Sequence, residues 1–196
     1  MKWIGLTGGL GTGKSTVAKI LRENGYVVLD ADRLAAEVIA PETAGLKSVI
    51  QHFGHEFQLS NGNLDREKMA LKVFKDPASL SELEGLIHPL VKVEVERQKE
   101  LEKKKGSKFL FYDVPLLYEK NISGFDSVVV VASSYENQKV RIRGRNRWSE
   151  EEINNRLKNQ LPLSQKVQKA DHVIYNDGTM GELKVQVEKI LDLLKK

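Results

Sequence analysis

Apolar positions along this chain form short continuous runs set between longer stretches with helical spacing. "WIGLT" (3–7) is a β-leaning run that stops at glycine, and "STVAKILREN" (15–24) then places Val17, Ile20 and Leu21 at helical spacing. Gly25 closes that helix, and "YVVLD" (26–30) is an apolar run ending on a carboxylate, the pattern of a strand buried on both faces. "KFLFYD" (108–113), "SVVVVA" (127–132) and "HVIYN" (172–176) repeat the short apolar pattern. An amphipathic helix follows at 181–194, and its Leu183, Val187, Ile190 and Leu194 are expected to pack on a sheet. Five strands alternating with helices predict an α/β fold with a mostly parallel sheet.

From residue 32 to about 105 the spacing is helical almost throughout, with interruptions expected at "LSNGN" (59–63), "KDP" (75–77) and His88-Pro89. So long a helical excursion between strands has the character of an insertion. Two or three charge-rich helices are expected between 135 and 170. The run "ERQKELEKKK" (96–105) alternates in sign before its lysine tail, which describes a solvated helix face better than a nucleic-acid patch.

Composition narrows the class. At 196 residues the chain is near the upper end of one ordinary domain, and 40% hydrophobic with 30% charged residues is the balance of a folded globular protein. The net charge of +4 suits phosphate-bearing small molecules and nucleic acid equally. There is no cysteine, which excludes disulfides and thiolate metal sites and fits a reducing cytoplasm. No apolar run approaches the roughly 18 residues of a spanning helix, and the N-terminus lacks a signal-peptide pattern. The expectation is a cytoplasmic protein without a membrane partner.

Candidate chemistry begins at residues 8–15. "GGLGTGKS" matches G-x-x-x-x-G-K-[ST] in full, after an apolar strand and before an amphipathic helix. Glycines let the backbone wrap with several N–H groups pointing inward, and the positive end of the helix dipole adds to that field, so the loop suits a phosphate chain. Gly8, Gly11, Thr12, Gly13, Lys14, Ser15 and Thr16 are the expected nucleotide-binding set, with Lys14 reaching the β- and γ-phosphates and Ser15 ligating Mg²⁺. Asp113, closing "FLFYD", is the expected carboxylate partner of the metal. No N-K-x-D occurs, which argues against a GTPase and leaves a small-molecule kinase as the better reading. Asp32, in "LDADRLA" (29–35), stands where such a kinase orients an acceptor hydroxyl or takes its proton, two residues past Asp30 on the same side if the chain stays extended. A helix N-cap is the alternative role for Asp32, and both can hold.

In "QKVRIRGRNR" (138–147) Arg141 and Arg145 are four apart and share one helix face. A mobile arginine pair closing over a triphosphate neutralises the charge that develops in transfer and excludes water. A solvated face explains some of these arginines equally well.

Together "GLTGGLGTGKSTVA", "LDADRLA", "NGNLDRE", "IHPLV", "DVPLLYE", "QKVRIRGR" and "ADHVIYNDG", in this order from about residue 4 to 178, resemble the dephospho-coenzyme A kinase family. The resemblance implies a three-layer P-loop kinase fold. The five-stranded parallel core would span 1–31, 107–134 and 171–196, with a helical acceptor-binding insertion at 32–106 and a small helical lid at 135–170. It implies transfer of the γ-phosphoryl group of MgATP to the ribose 3′-hydroxyl of dephospho-coenzyme A, the last step of coenzyme A synthesis. The family pattern maps the acceptor-facing acid to Asp32 and favours Arg141 within the arginine pair. It also puts Thr7, Arg66 and His88 at the acceptor site. His88 precedes a proline and equally fits a turn between helices, and Arg66 at a helix start fits a surface position. The expected assembly is a monomer or weak homo-oligomer without nucleic acid. A nucleoside or nucleotide kinase is the alternative within the class. A nucleic-acid-binding ATPase or nucleotide-dependent regulator is the alternative outside it, though without an aromatic-interleaved basic groove.

Overall fold

The computed structural model describes residues 1–146, 148–158 and 160–195, and its chain divides into two compact units. The first comprises Met1–Leu29 and Gly106–Lys196, the second Asp30–Lys105.

Five strands, β1 (Lys2–Gly8), β2 (Val27–Asp30), β3 (Phe109–Asp113), β4 (Ser127–Ala132) and β5 (His172–Tyr175), form a sheet in the order β2-β3-β1-β4-β5. β1 pairs in parallel with both β3 and β4, and β4 with β5. Every residue of β1 after Lys2 is buried, as a central parallel strand covered on both faces requires. Side chains alternate between the faces. Ile4, Leu6, Phe109, Phe111, Val129 and Val131 join one core cluster with α1 (Lys14–Glu23) and α9 (Met180–Leu194). On β1, Trp3 instead stacks between Tyr112 and Phe125, with ring centroids 5.3 and 5.6 Å away.

Ten-residue helices are marginal in isolation, so α1 depends on burying Val17, Ala18, Ile20 and Leu21 in this core. Its counterpart α9 starts with a reciprocal capping box between Thr179 and Glu182. Leu183, Val187 and Leu194 of α9 are buried in the core with Leu191, and Ile190 packs against it partly buried, as their spacing predicts.

Between β4 and β5 lie α6 (Tyr135–Asn146), α7 (Glu150–Lys158) and α8 (Leu163–Gln168). Glu150 of α7 accepts from Lys139 at 2.6 Å and Arg143 at 3.1 Å, both on α6. The Arg156 guanidinium also lies 4.0 Å from the Trp148 ring.

The second unit holds α2 (Ala31–Glu37), α3 (Ala44–Phe53), a 3-10 turn (His55–Phe57), α4 (Arg66–Lys75) and α5 (Pro77–Lys104). Ile39, Leu46, Val49, Ile50, Phe57, Leu64 and Met69 form its own core. The turn at 59–63 is closed by an antiparallel bridge from Gln58 to Leu64. Asp76 caps α5 with Pro77 in its first turn, so the break at "KDP" occurs where proline and a capping aspartate dictate it.

The expected break at His88-Pro89 does not occur. Helix α5 runs through it with Pro89 inside. An interior proline costs about 3 kcal/mol, whereas burying one large apolar side chain contributes about 1.5–3 kcal/mol. Leu83, Leu86 and Ile87 pack on the core before the proline and Val95 is buried after it, so together they outweigh the break. Gly85, whose carbonyl loses its partner, is exposed to water. Further along α5 most of the charged stretch is solvated, with i,i+3 ion pairs such as Glu96–Lys99 and Glu100–Lys103, while Glu102 is buried and pairs with Lys105.

Candidate active site

Strand β1 ends at Gly8, and α1 starts at Lys14 with Gly13 as its N-cap. A Cβ on Gly8 would sit 2.6 Å from the Val131 carbonyl oxygen. Gly13 has φ +89°, and a Cβ there would lie 2.1 Å from Asn176 Nδ2. Close approach at the first position and left-handed backbone at the second account for the two fixed glycines of the motif.

The loop's carbonyls are held by protein donors. Lys166 Nζ reaches Gly8 O at 3.3 Å, Asn176 Nδ2 donates to Thr12 O at 2.9 Å, and Arg141 lies 3.5 and 3.4 Å from the Gly11 and Thr12 oxygens. The amides are used more sparingly. Leu10 N–H donates to Gln160 Oε1 at 3.1 Å and Thr12 N–H to Gly9 O at 3.3 Å. At the helix start Thr16 and Val17 donate to Gly13 O, and no side chain caps the end. Among the described residues the amides of Lys14 and Ser15 have no acceptor. Orphan donors at the positive end of a helix dipole, behind carbonyls tied down on the protein side, make an anion cradle.

Lys14 of this cradle pairs with Asp113, the two side chains being 17% and 5% exposed. The register Leu6↔Asp113 across β1 and β3 brings them together. Ser15 is exposed on the first turn of α1. Among the described residues no cluster of three or more His, Cys, Asp or Glu could hold a metal by itself. Thr7 is fully buried, and its hydroxyl donates to Pro115 O at 3.2 Å, bracing the end of β1 against the turn after β3.

Arg141 on α6 is docked on main chain. Besides the loop oxygens it donates to Ser133 Oγ at 3.1 Å and to Asn176 O at 2.7 Å. The Ser133 hydroxyl in turn donates to Asp177 at 2.7 Å. Asp177 also accepts from the Ser134 N–H at 2.8 Å and from Asn137 at 2.9 Å, and these bonds, the backbone one foremost, pull its carboxyl down to about 2. The start of α6 is thus pinned to the segment after β5. Arg145 lies on the same helix, but its side chain is outside the described residues.

In the second unit the chain does not stay extended past Asp30. Asp30 accepts the Arg33 N–H at 3.0 Å and caps α2, which corrects the expected placement and leaves Asp32 exposed in the helix's first turn. Arg66 is exposed at the start of α4 behind its cap Asp65, and His88 is exposed on α5. Among the described residues no hydrogen bond or ion pair joins Asp32, Arg66 and His88.

The structure thus joins the loop residues, Asp113 and Arg141 directly, and it adds groups that sequence reasoning passed over. Ser133 and Lys166 carry no motif signature. Glu119, which pairs with Lys166 at 2.8 Å, ends the apolar run "VPLLYE", and a carboxylate set among apolar residues needs a cation, which is the one sequence signal for that lysine.

A family model described as dephospho-CoA kinase matches residues 2–182. A dephospho-CoA kinase of Bdellovibrio bacteriovorus is 47% identical over 196 residues, which is 100% of this chain and 97% of that protein. A crystal structure of a Thermus thermophilus protein superposes with TM-score 0.83 at 34% identity, covering 98% of this chain and 97% of that one. A dephospho-CoA kinase structure from Campylobacter jejuni, with TM-score 0.71 at 24% identity over 97% of this chain and 95% of its own, shares the fold.

Proposed function

The chain belongs to the dephospho-CoA kinase family, and on that premise we propose that it transfers the γ-phosphoryl group of ATP to the ribose 3′-hydroxyl of dephospho-CoA, giving coenzyme A and ADP. The observation that carries this reading is the cradle itself, with its carbonyls tied to Lys166, Arg141 and Asn176, its helix-start amides without acceptors among the described residues and Lys14 at its edge beside Asp113.

The triphosphate lies along the loop from Gly8 to Thr16, and Lys14 exchanges Asp113 for the β- and γ-phosphates. The Ser15 hydroxyl and the Asp113 carboxylate are hard oxygen donors that fit Mg²⁺, which takes one or two protein ligands and completes its shell with phosphate and water. Held by Ser15 and Asp113, Mg²⁺ would neutralise the negative charge of the triphosphate. Arg141, already docked at the loop, supplies a fixed positive charge, and Arg145, four residues on in the same helix, is assigned to the same nucleotide by its spacing alone. Asp32 aims the acceptor hydroxyl and accepts its proton, while Arg66 and His88 bind the acceptor. Residues 135–170 act as a lid anchored at the loop by Arg141 and Lys166, and residues 32–106 as the acceptor-binding insertion. No helix among the described residues is long and apolar enough to cross a membrane, and the activity fits a cytoplasmic monomer or weak homo-oligomer.

Arg141→Ala is expected to lower turnover by about 10³-fold, the scale of an arginine that stabilises a transferring phosphoryl group. Steady-state kinetics check this, and full turnover in the variant contradicts the assignment. The function is tested by offering the protein MgATP with dephospho-CoA, adenosine, AMP or shikimate and measuring ADP. ADP release with dephospho-CoA alone is expected. Equal release with all acceptors, or none with dephospho-CoA, overturns the reading.

A further inference from the structure

Lys166 is fully buried, and the chemistry above uses it only to tie down the Gly8 carbonyl. An ammonium has three donors, and here each finds an acceptor: Glu119 Oε1 at 2.8 Å, Gly8 O at 3.3 Å and Pro115 O at 3.2 Å. Glu119 Oε1 also accepts the Leu161 N–H at 2.8 Å, while Oε2 is buried with no partner among the described residues. Burial pushes the Glu119 carboxyl up, but Lys166 and the two backbone bonds outweigh it and hold the group below the usual carboxylate range.

Stability alone is a poor reason for this arrangement. Replacing a buried ion pair with apolar groups of similar shape is often neutral or stabilising. What the ammonium does, and an apolar side chain cannot, is hold two carbonyls at the working ends of two strands. Gly8 opens the phosphate loop, and Pro115 follows Asp113 by two residues. Because the peptide unit is planar and trans, fixing the Gly8 carbonyl also fixes the Gly9 N–H on the side away from Lys166. Pro115 O is the same oxygen that Thr7 bonds, so one cation sets the loop's first turn against the strand end that carries the metal-facing carboxylate.

We propose that Lys166 is a positioning residue for nucleotide binding, its buried ammonium fixing the first peptide of the phosphate loop relative to Asp113. This rests on the kinase reading only in assigning the loop to a nucleotide. Lys166→Met alone leaves the partly buried Glu119 carboxylate without its cation and destabilises the protein, so the informative variant is Lys166→Met with Glu119→Gln, which removes both charges and keeps the shape. That double variant is expected to melt close to the wild type but to bind Mg²⁺ with the imido analogue of ATP about tenfold more weakly by calorimetry, the loss set by one hydrogen bond from a charged donor. Turnover falls in step. Wild-type melting together with wild-type analogue affinity overturns the proposal, since a merely structural pair would be fully replaced.

A second readout needs no variant to fold. The Lys166 ammonium is sealed from water, so its Nζ signal in lysine-labelled wild-type protein is expected to shift when the Mg²⁺ analogue fills the loop, and an unmoved signal counts against the role. Both readouts report nucleotide binding alone. A wild-type protein that binds the analogue but leaves dephospho-CoA unphosphorylated therefore refutes the acceptor assignment and not the role of Lys166.

Discussion

Lys14→Ala is expected to reduce phosphoryl transfer at least about 10³-fold, because it deletes the one loop side chain aimed at the charge that develops on the transferring group. The structure adds a second consequence that sequence reasoning did not anticipate. Lys14 is paired with Asp113, which is 5% exposed, so the variant also withdraws the cation from a buried carboxylate. Removing the cation from one side of a buried pair is destabilising, so the melting temperature falls as well. Adding Asp113→Asn removes the carboxylate's charge. The double variant regains thermal stability and stays inactive, which separates the two roles of the lysine. Activity in Lys14→Ala above about one tenth of wild type would contradict the electrostatic role, given the usual size of such effects.

The second large effect is expected at Asp32. Its side chain is exposed in the first turn of α2, and Asp30 already caps that helix, so Asp32→Asn costs little beyond the about 0.3–1 kcal/mol of a favourable helix-dipole interaction. On the proposed role of Asp32, orienting the acceptor hydroxyl or taking its proton, its loss lowers turnover by about 10²–10⁴-fold. Melting and ATP affinity should stay near wild type while turnover collapses. A variant with unchanged turnover removes Asp32 from the chemistry.

The parts of the fold that sequence revealed are those where local pattern and tertiary demand agree. β4 is an uninterrupted apolar run and its bounds, Ser127–Ala132, coincide with the predicted ones. The phosphate loop is legible for the same reason, since glycine spacing encodes backbone geometry directly. At Pro89 the local signal reads as a stop, but apolar packing on either side carries the helix through. At the start of α2 the sequence pattern offers Asp32 as the cap, and the Arg33 N–H bond shows that Asp30 serves instead. Arg141 is legible as a basic side chain near the loop, yet its docking on the oxygens of Gly11, Thr12 and Asn176 depends on main-chain atoms that leave no side-chain trace. Lys166 is the extreme case. It is one of 31 Lys and Arg residues, set among polar neighbours, and only its burial distinguishes it from the rest.

The central claim is that the cradle holds the triphosphate while an acceptor ribose hydroxyl attacks its terminal phosphorus. The most direct measurement supplies ATP labelled with ¹⁸O in the γ-phosphoryl group together with Mg²⁺ and dephospho-CoA, then locates the label by mass spectrometry and phosphorus NMR. The predicted result is labelled phosphate on the ribose 3′-hydroxyl of coenzyme A in one-to-one ratio with ADP. Label recovered only as inorganic phosphate, or on a different hydroxyl, would contradict it.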